Sequence, residues 1–91
     1  MKSSQKNNWF VYIVCCADTT YYTGITTNLE KRILTHNQGV GAKYTKMRLP
    51  VKLIYSEIQK NRSAASIREA EIKKLTRKQK ENLIKTSSEN Q

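Results

Sequence analysis

Residues 9–37 read "WFVYIVCCADTTYYTGITTNLEKRILTHN", and they contain the first three predicted elements of secondary structure. Positions 9–16 are rich in aromatic and β-branched side chains, which predicts a strand. The turn-forming residues "ADTT" separate this strand from a second short strand at 21–25. Because the connection is short, we expect the two strands to form an antiparallel hairpin.

A helix is predicted directly after the hairpin. The segment "TNLE" matches a capping box with Thr27 as the cap, so a helix should cover about 28–38. The remaining predicted elements are a basic loop at 39–50, a strand at 51–57, and helices at 63–74 and 77–85, the last opened by a second capping box, "TRKQ". The order β-β-α-β-α-α predicts an α+β fold, in which helices flank a small, three-stranded, mainly antiparallel sheet.

The length and charge of the chain bound its organisation and partners. A chain of 91 residues predicts a single domain, here 9–85, between disordered tails at 1–8 and 86–91. Its 17 Lys and Arg against 7 Asp and Glu give a net charge of +10, which indicates a polyanionic partner: DNA, RNA or an anionic membrane surface. The sequence contains neither a membrane-length apolar run nor a signal-peptide pattern, so we expect a cytoplasmic protein without a membrane partner.

Two polar side chains interrupt the apolar stripe of the first predicted helix. Leu29 and Ile33 define the stripe, and Arg32 and His36 occupy the other positions of the same i, i+3, i+4, i+7 set. Their charged and polar groups either lie at the edge of the stripe, with the arginine extended towards water, or serve a site.

Glu69 is the corresponding interruption in the second predicted helix. It lies between Ala65 and Ile72, two residues expected to face inward. An unpaired buried carboxylate costs several kcal/mol, so it needs either an ion pair, for which Arg32 is a candidate, or a bound metal. Tyrosines of the two predicted strands would join this group of polar residues.

The two strand segments carry a recognisable pair of motifs. "VYI" at 11–13 and "YTG" at 22–24 resemble the two halves of the signature of the GIY-YIG nuclease family, with VYI standing for GIY and YTG for YIG. Arg32, His36 and Glu69 stand where the family has its helix arginine, histidine and glutamate. The segments 39–45 and 72–84 are similar to the small, stand-alone bacterial subgroup that includes YhbQ.

The resemblance implies a divalent-metal-dependent endonuclease acting on DNA. Glu69 would bind Mg²⁺ or Mn²⁺, and Arg32 would contact the scissile phosphate. Tyr12 or Tyr22 would take a proton from water, with His36 orienting the tyrosine or relaying its proton. Gly24 would have a structural role, because its missing side chain permits a close approach.

Basic residues outside this group predict contacts with the nucleic-acid backbone. The candidates lie in the basic loop and in the last two helices: Lys43, Lys46, Arg48, Lys73, Lys74, Arg77, Lys78 and Lys80. Such contacts carry no sequence readout, so a structure-selective or non-specific activity on branched or nicked DNA, in repair or recombination, is expected. The alternatives are a non-catalytic nucleic-acid-binding module and a protein-interaction domain, and no protein partner is identified.

Overall fold

The computed structural model describes residues 8–89, with side chains as far as residue 87. Its elements are β1 (Trp9–Cys15), β2 (Tyr21–Thr26), α1 (Leu29–Asn37), α2 (Lys43–Lys46), β3 (Lys52–Gln59), α3 (Arg62–Lys73) and α4 (Arg77–Glu89). This order matches the predicted one, except that the short helix α2 lies within the predicted basic loop. The predicted tails fall partly outside the described residues, at 1–7 and 90–91, whereas 86–89 continue α4.

The three strands form one antiparallel sheet in the order β2-β1-β3. The predicted α+β fold with a small antiparallel sheet is therefore confirmed, and the third strand runs antiparallel to the first. The register pairs Tyr12 in the middle of β1 with Gly24 on β2 and with Ser56 on β3. Strands β2 and β3 each have one outer edge that no other strand of the sheet covers.

The central strand β1 is buried on both faces, which explains its continuous apolar composition. On one face, Val11 and Ile13 pack with Ala65 and Ile72 of α3. On the other face, the buried residues Tyr12, Val14, Cys16 and Val51 pack against Leu29 and Ile33 of α1. The sheet thus separates α1 from α3, and alternate residues of β1 point to each of these helices.

The first helix begins one residue later than predicted. Asn28, and not Thr27, is the N-cap, and its side-chain oxygen accepts a hydrogen bond from the Lys31 amide at 3.1 Å. The backbone amide of Asn28 in turn donates to the Thr26 hydroxyl at 3.1 Å. Asparagine ranks above threonine as an N-cap, and the contact with Thr26 holds the chain just before the helix.

The helix α3 is held against β3 by a half-buried carboxylate. Glu57 accepts hydrogen bonds from the Tyr55 hydroxyl, from Gln59 Nε2 at 2.7 Å and from Arg68 Nε at 2.8 Å. Burial, together with this carboxylate, raises the pKa of Tyr55 to about 12, so the phenol remains a donor. These contacts fix α3 about its axis and thereby the direction in which Glu69 points.

The predicted capping box of the last helix is confirmed. The Gln79 amide donates to the Thr76 hydroxyl at 3.1 Å, and Gln79 Oε1 accepts from the Thr76 amide at 2.8 Å. Across residues 8–89, no helix has both the length and the apolar character that a membrane crossing requires.

Candidate active site

Tyr12 and Gly24 face each other across the first two strands. The Tyr12 side chain is fully buried, and a Cβ placed on Gly24 would lie 2.5 Å from the Tyr12 hydroxyl oxygen and 2.8 Å from Cζ. Carbon atoms do not approach this closely, so no side chain fits at position 24 while the phenol keeps its place. The structural role predicted for Gly24 is thus explained by the position of the Tyr12 hydroxyl.

His36 is held in the last turn of α1 between two hydrogen-bonding partners. Its Nε2 lies 2.9 Å from the Tyr12 hydroxyl, and its Nδ1 lies 2.8 Å from the Thr45 hydroxyl. The imidazole is fully buried, and a Cβ placed on Gly41 would lie 2.5 Å from Nδ1. The segment after α1 therefore closes over the histidine, and Gly41 makes this closure possible.

The direction of each hydrogen bond in this group follows from Thr45. Its hydroxyl donates to the Ala42 carbonyl at 3.0 Å, and a hydroxyl has a single proton to donate. The hydroxyl must then accept from Nδ1–H of His36, which leaves the Nε2 lone pair to accept the Tyr12 proton. The proton chain runs from Tyr12 to His36, then to Thr45 and to the Ala42 carbonyl.

Burial keeps both rings of this chain neutral. Desolvation raises the pKa of Tyr12, and the hydrogen bond from Arg32 only partly offsets that effect. Desolvation also lowers the pKa of His36, and the positive charge of Arg32 lowers it further. A protonated phenol beside a neutral imidazole is therefore the resting arrangement.

Arg32 connects this buried chain to the surface. Its Nε donates to the Tyr12 hydroxyl at 3.3 Å, and the residue as a whole is half-buried. Arg32 also lines a groove of about 180 Å³ at the start of α1, together with Thr26, Lys31 and Thr35. One of its five N–H donors is thus engaged with the phenol, and the others remain for an anion in the groove.

Tyr22 is the phenol on the exposed side of the group. Its ring packs edge-on against His36, with ring centroids 5.5 Å apart, and stacks on Tyr44 at 6.0 Å. Tyr22 is half-buried and lines an open cleft, whereas Tyr12 has no exposed surface. The two predicted tyrosines therefore occupy different environments, one reachable from solvent and one enclosed.

Glu69 lies on α3, across the sheet from α1. Its carboxylate contacts Lys73 Nζ at 3.0 Å, and its side chain is 22% exposed. One alternative predicted an ion pair between Glu69 and Arg32. The structure shows no such ion pair between these two described residues, because α1 and α3 pack on opposite faces of the sheet. Glu69 still acts on the group at a distance: after burial, its negative charge is one of the causes that raise the pKa of Tyr12.

The predicted nucleic-acid-binding residues fall into two groups. Both arginines are held by an ion pair and by an aromatic ring. Arg48 contacts Asp18 at 3.1 Å and lies 3.9 Å above the Tyr44 ring. Arg77 contacts Glu81 at 3.1 Å and lies 3.9 Å above the Tyr21 ring. Of the lysines, Lys73 is paired with Glu69, and the others make no ion pair among residues 8–87. Lys43, Lys46, Lys74 and Lys78 are exposed, and Lys80 is half-buried in the cleft beside Tyr22. Contacts within the domain therefore occupy the two arginines more than the lysines.

A comparison with known families shows which family the chain belongs to. A family model described as the GIY-YIG catalytic domain matches residues 8–82, which include every residue of the site. The chain belongs to the GIY-YIG family. This membership supports a nuclease class for the site.

Relatives of this GIY-YIG chain are small proteins of similar length. A UPF0213 protein of Clostridium perfringens is 57% identical over 79 residues, which cover 87% of this chain and 85% of the relative. The UPF0213 protein YazA of Bacillus subtilis is 51% identical over 77 residues, which cover 85% of this chain and 78% of the relative. These names place the chain among the UPF0213 proteins and specify neither a substrate nor a metal.

Two solution NMR structures share this GIY-YIG fold. A protein from E. faecalis is 45% identical and superposes with a TM-score of 0.62 over 91% of this chain and 88% of its own. A UPF0213 protein from Bacillus halodurans is 40% identical, with a TM-score of 0.57 over 87% of this chain and 84% of its own. Both structures therefore share the fold of this chain over most of its length.

Sequence reasoning missed two residues of this GIY-YIG site. Thr45 and Gly41 both lie in the segment predicted to be a basic loop, and both contact the His36 imidazole or its backbone. The available signal was the pair of glycines in "GVGAKYT", which indicates a close approach of the backbone to something bulky. The sequence does not indicate which side chain is approached.

The residues present fit a hard divalent ion held by few protein ligands. Within residues 8–89, no group of three or more His, Cys, Asp or Glu side chains could hold a metal, so a closed zinc-type site is absent there. Mg²⁺ is commonly bound through one or two carboxylates plus water and substrate phosphate. A lone carboxylate such as that of Glu69 matches this second mode.

Proposed function

We propose that this chain is a divalent-metal-dependent endonuclease that hydrolyses phosphodiester bonds in DNA. The observation that carries the proposal is the hydrogen-bonded chain Arg32–Tyr12–His36–Thr45, which opens through Arg32 and beside Tyr22 onto the surface. A buried polar chain of this kind restrains the guanidinium, and restrained donors are what a transition state with growing negative charge requires.

Arg32 is the phosphate-binding residue in this proposal. The guanidinium uses Nε for Tyr12 and presents its remaining donors to the groove at the start of α1. Forked N–H donors suit two oxygens of one phosphate. Tyr12 and His36 act through Arg32 and are positioning residues.

Glu69 would hold Mg²⁺ or Mn²⁺, and the bound ion would supply charge neutralisation at the phosphate and the leaving oxygen. The carboxylate is paired with the ammonium of Lys73, so its position is one in which a positive charge is accommodated. Glu71, two residues along the same helix, contacts Arg68 at 3.2 Å and is 60% exposed, which makes it a matched control.

The attacking water would contact Tyr22, since this phenol faces the open cleft and Tyr12 is enclosed. A side chain positioned for proton transfer in the transition state contributes about 10²–10⁴-fold to the rate. Tyr22→Phe should therefore lower the rate of cleavage by about that factor.

The proposal is tested by incubating flap, fork, nicked, duplex and single-stranded DNA with Mg²⁺ or Mn²⁺. Glu69→Ala should abolish metal-dependent cleavage and leave DNA binding largely intact, while Glu71→Ala should retain both. Equal cleavage by wild type and Glu69→Ala, after careful purification, would refute the mechanism. Salt-sensitive binding without cleavage of any substrate would instead assign a non-catalytic nucleic-acid-binding module.

The substrate range we propose is structure-selective or non-specific, in repair or recombination. The exposed lysines would contact backbone phosphates, which nucleic acids of every sequence present. Comparison of branched with linear DNA in the same assay tests this part of the proposal separately from the chemistry.

A further inference from the structure

We propose that the cleft around the outer edge of β2 binds a second phosphate of the nucleic-acid backbone, through Lys73, Lys80 and Thr23. The cleft has a volume of about 210 Å³ and is lined by Tyr21, Tyr22, Thr23, Tyr44, Lys73 and Lys80. The inference rests on the proposed function, because it names the site where the substrate backbone is held next to the scissile phosphate.

The position of the cleft follows from the place of β2 in the sheet. Tyr21, Tyr22 and Thr23 are consecutive in a strand, so their side chains point alternately to opposite faces. All three line one cleft, which is possible only because the cleft wraps around the uncovered edge of β2. The cleft therefore joins the His36 side of the sheet, through Tyr22, to the Glu69 side, through Lys73.

Two ammonium groups give the cleft its preference for an anion. Lys80 is half-buried and makes no ion pair among residues 8–87, where side chains are described. Lys73 gives one contact to Glu69, and an ammonium group has three donors. A lysine partly withdrawn from water without a counter-ion favours a bound anion, and a phosphate oxygen is a strong acceptor for it.

Thr23 supplies an independent observation at the same cleft. It is 3% exposed, and its hydroxyl is a buried side-chain polar atom without a hydrogen-bond partner in the described structure. Buried polar groups are normally satisfied, so an orphaned hydroxyl needs an explanation. A phosphate in the cleft would provide the missing acceptor after rotation about the Thr23 side-chain bond.

The cleft is distinct from the groove that Arg32 lines. That groove contains Thr26 and Thr27 at the end of β2, whereas the cleft contains Tyr21 to Thr23 near its beginning. Tyr22 links the two places, because it lines the cleft while its ring packs on His36, the hydrogen-bond partner of Tyr12. The attacking water at Tyr22 would therefore lie between the scissile phosphate at Arg32 and the second phosphate at Lys80.

The test compares two lysines of the same helix. Lys80→Gln and Lys85→Gln each remove one positive charge, but only Lys80 lines the cleft, and Lys85 is exposed elsewhere on α4. Binding of a short fluorescent DNA is measured by anisotropy in EDTA, so that no cleavage occurs. Lys80→Gln should weaken binding at least about tenfold, as expected for a lost charge-assisted hydrogen bond, and Lys85→Gln about twofold or less. Lys80→Arg, which keeps the charge, should restore most of the binding.

Thr23→Val provides a second variant in which shape and charge are kept. It should weaken the same binding about threefold to tenfold, and inorganic phosphate should shift the amide NMR signals around Thr23 and Lys80 in the wild type only. Equal effects of Lys80→Gln and Lys85→Gln, with phosphate shifts elsewhere, would overturn the subsite. Binding is measured without metal, so the two proposals are tested separately. Absence of cleavage would refute the nuclease and leave the phosphate subsite unaffected, and failure of the binding test would refute the subsite and leave the nuclease unaffected.

Discussion

Replacement of Thr45 by valine tests the direction of the buried proton chain. The substitution keeps the shape of the side chain but removes the acceptor of the His36 Nδ1–H bond, whose two atoms are 2.8 Å apart. Thr45 and His36 are both fully buried, so water cannot take over. The Ala42 carbonyl, by contrast, keeps a donor, because it also accepts from the Lys46 amide at 3.0 Å. One buried donor is therefore left unsatisfied.

The expected magnitude follows from that single orphaned group. Leaving a buried donor without a partner costs about 1–3 kcal/mol of unfolding free energy. In a domain of this size, each kcal/mol lowers the melting temperature by roughly 4–8 °C. Urea unfolding of Thr45→Val should show this loss, whereas Thr86→Val, at an exposed position of α4, should change stability by less than about 0.5 kcal/mol.

The same variant has a spectroscopic readout. The chain contains one histidine, so its imidazole nitrogen signals need no assignment. In the wild type, long-range ¹H–¹⁵N spectra should show the tautomer protonated at Nδ1, and Thr45→Val should lose that strict preference. A stability change below about 0.5 kcal/mol together with an unchanged tautomer would refute a chain that runs from the phenol through the imidazole to the threonine hydroxyl.

Three further outcomes are expected. Gly24→Ala should lose about 1–3 kcal/mol of unfolding free energy, because the added methyl group has no room beside the Tyr12 hydroxyl. Tyr12→Phe in the same chain should recover part of this loss, and urea unfolding of the single and double variants measures both effects. Burial, and secondly the charge of Arg32, lower the folded-state pKa of His36, so the unfolded state binds more protons below about pH 6.5. The unfolding free energy should therefore fall as the pH drops through this value, by up to about 1.4 kcal/mol per pH unit. His36→Gln should flatten this dependence between about pH 7 and 5. Thr23→Val should raise the melting temperature of the free protein while it weakens DNA binding, and a destabilised variant would contradict the orphaned hydroxyl.

The sequence predicted the parts of the site that depend on local patterns. His36 interrupts an apolar stripe, and the structure buries it completely in the position that this pattern indicates. Tyr12 and Gly24 lie in strand segments whose composition predicted the hairpin, and the register of the hairpin brings them together. The spacing of apolar residues and the residue types of turns are local properties of the sequence, so they can be interpreted without knowledge of the fold.

The partners of these residues could not be predicted, because they come from distant segments. Thr45 reaches His36 only after the chain after α1 turns back over the helix, and a short helix replaces the predicted loop there. Arg32 was the predicted ion-pair partner of Glu69, but the helices that carry these two residues cover opposite faces of the sheet, and Glu69 contacts Lys73 one turn further along α3 instead. Layer assignment of this kind is a tertiary property that composition does not encode.

The uncovered edge of β2 has a consequence for self-association. An edge strand offers a row of free backbone groups to which an additional strand, from a second copy or from another protein, can pair. At this edge, the single strand β2 separates the His36 side of the sheet from the Glu69 side. A strand added there would occupy the space in which the cleft lies, so sheet extension and access of a nucleic acid to this edge exclude each other.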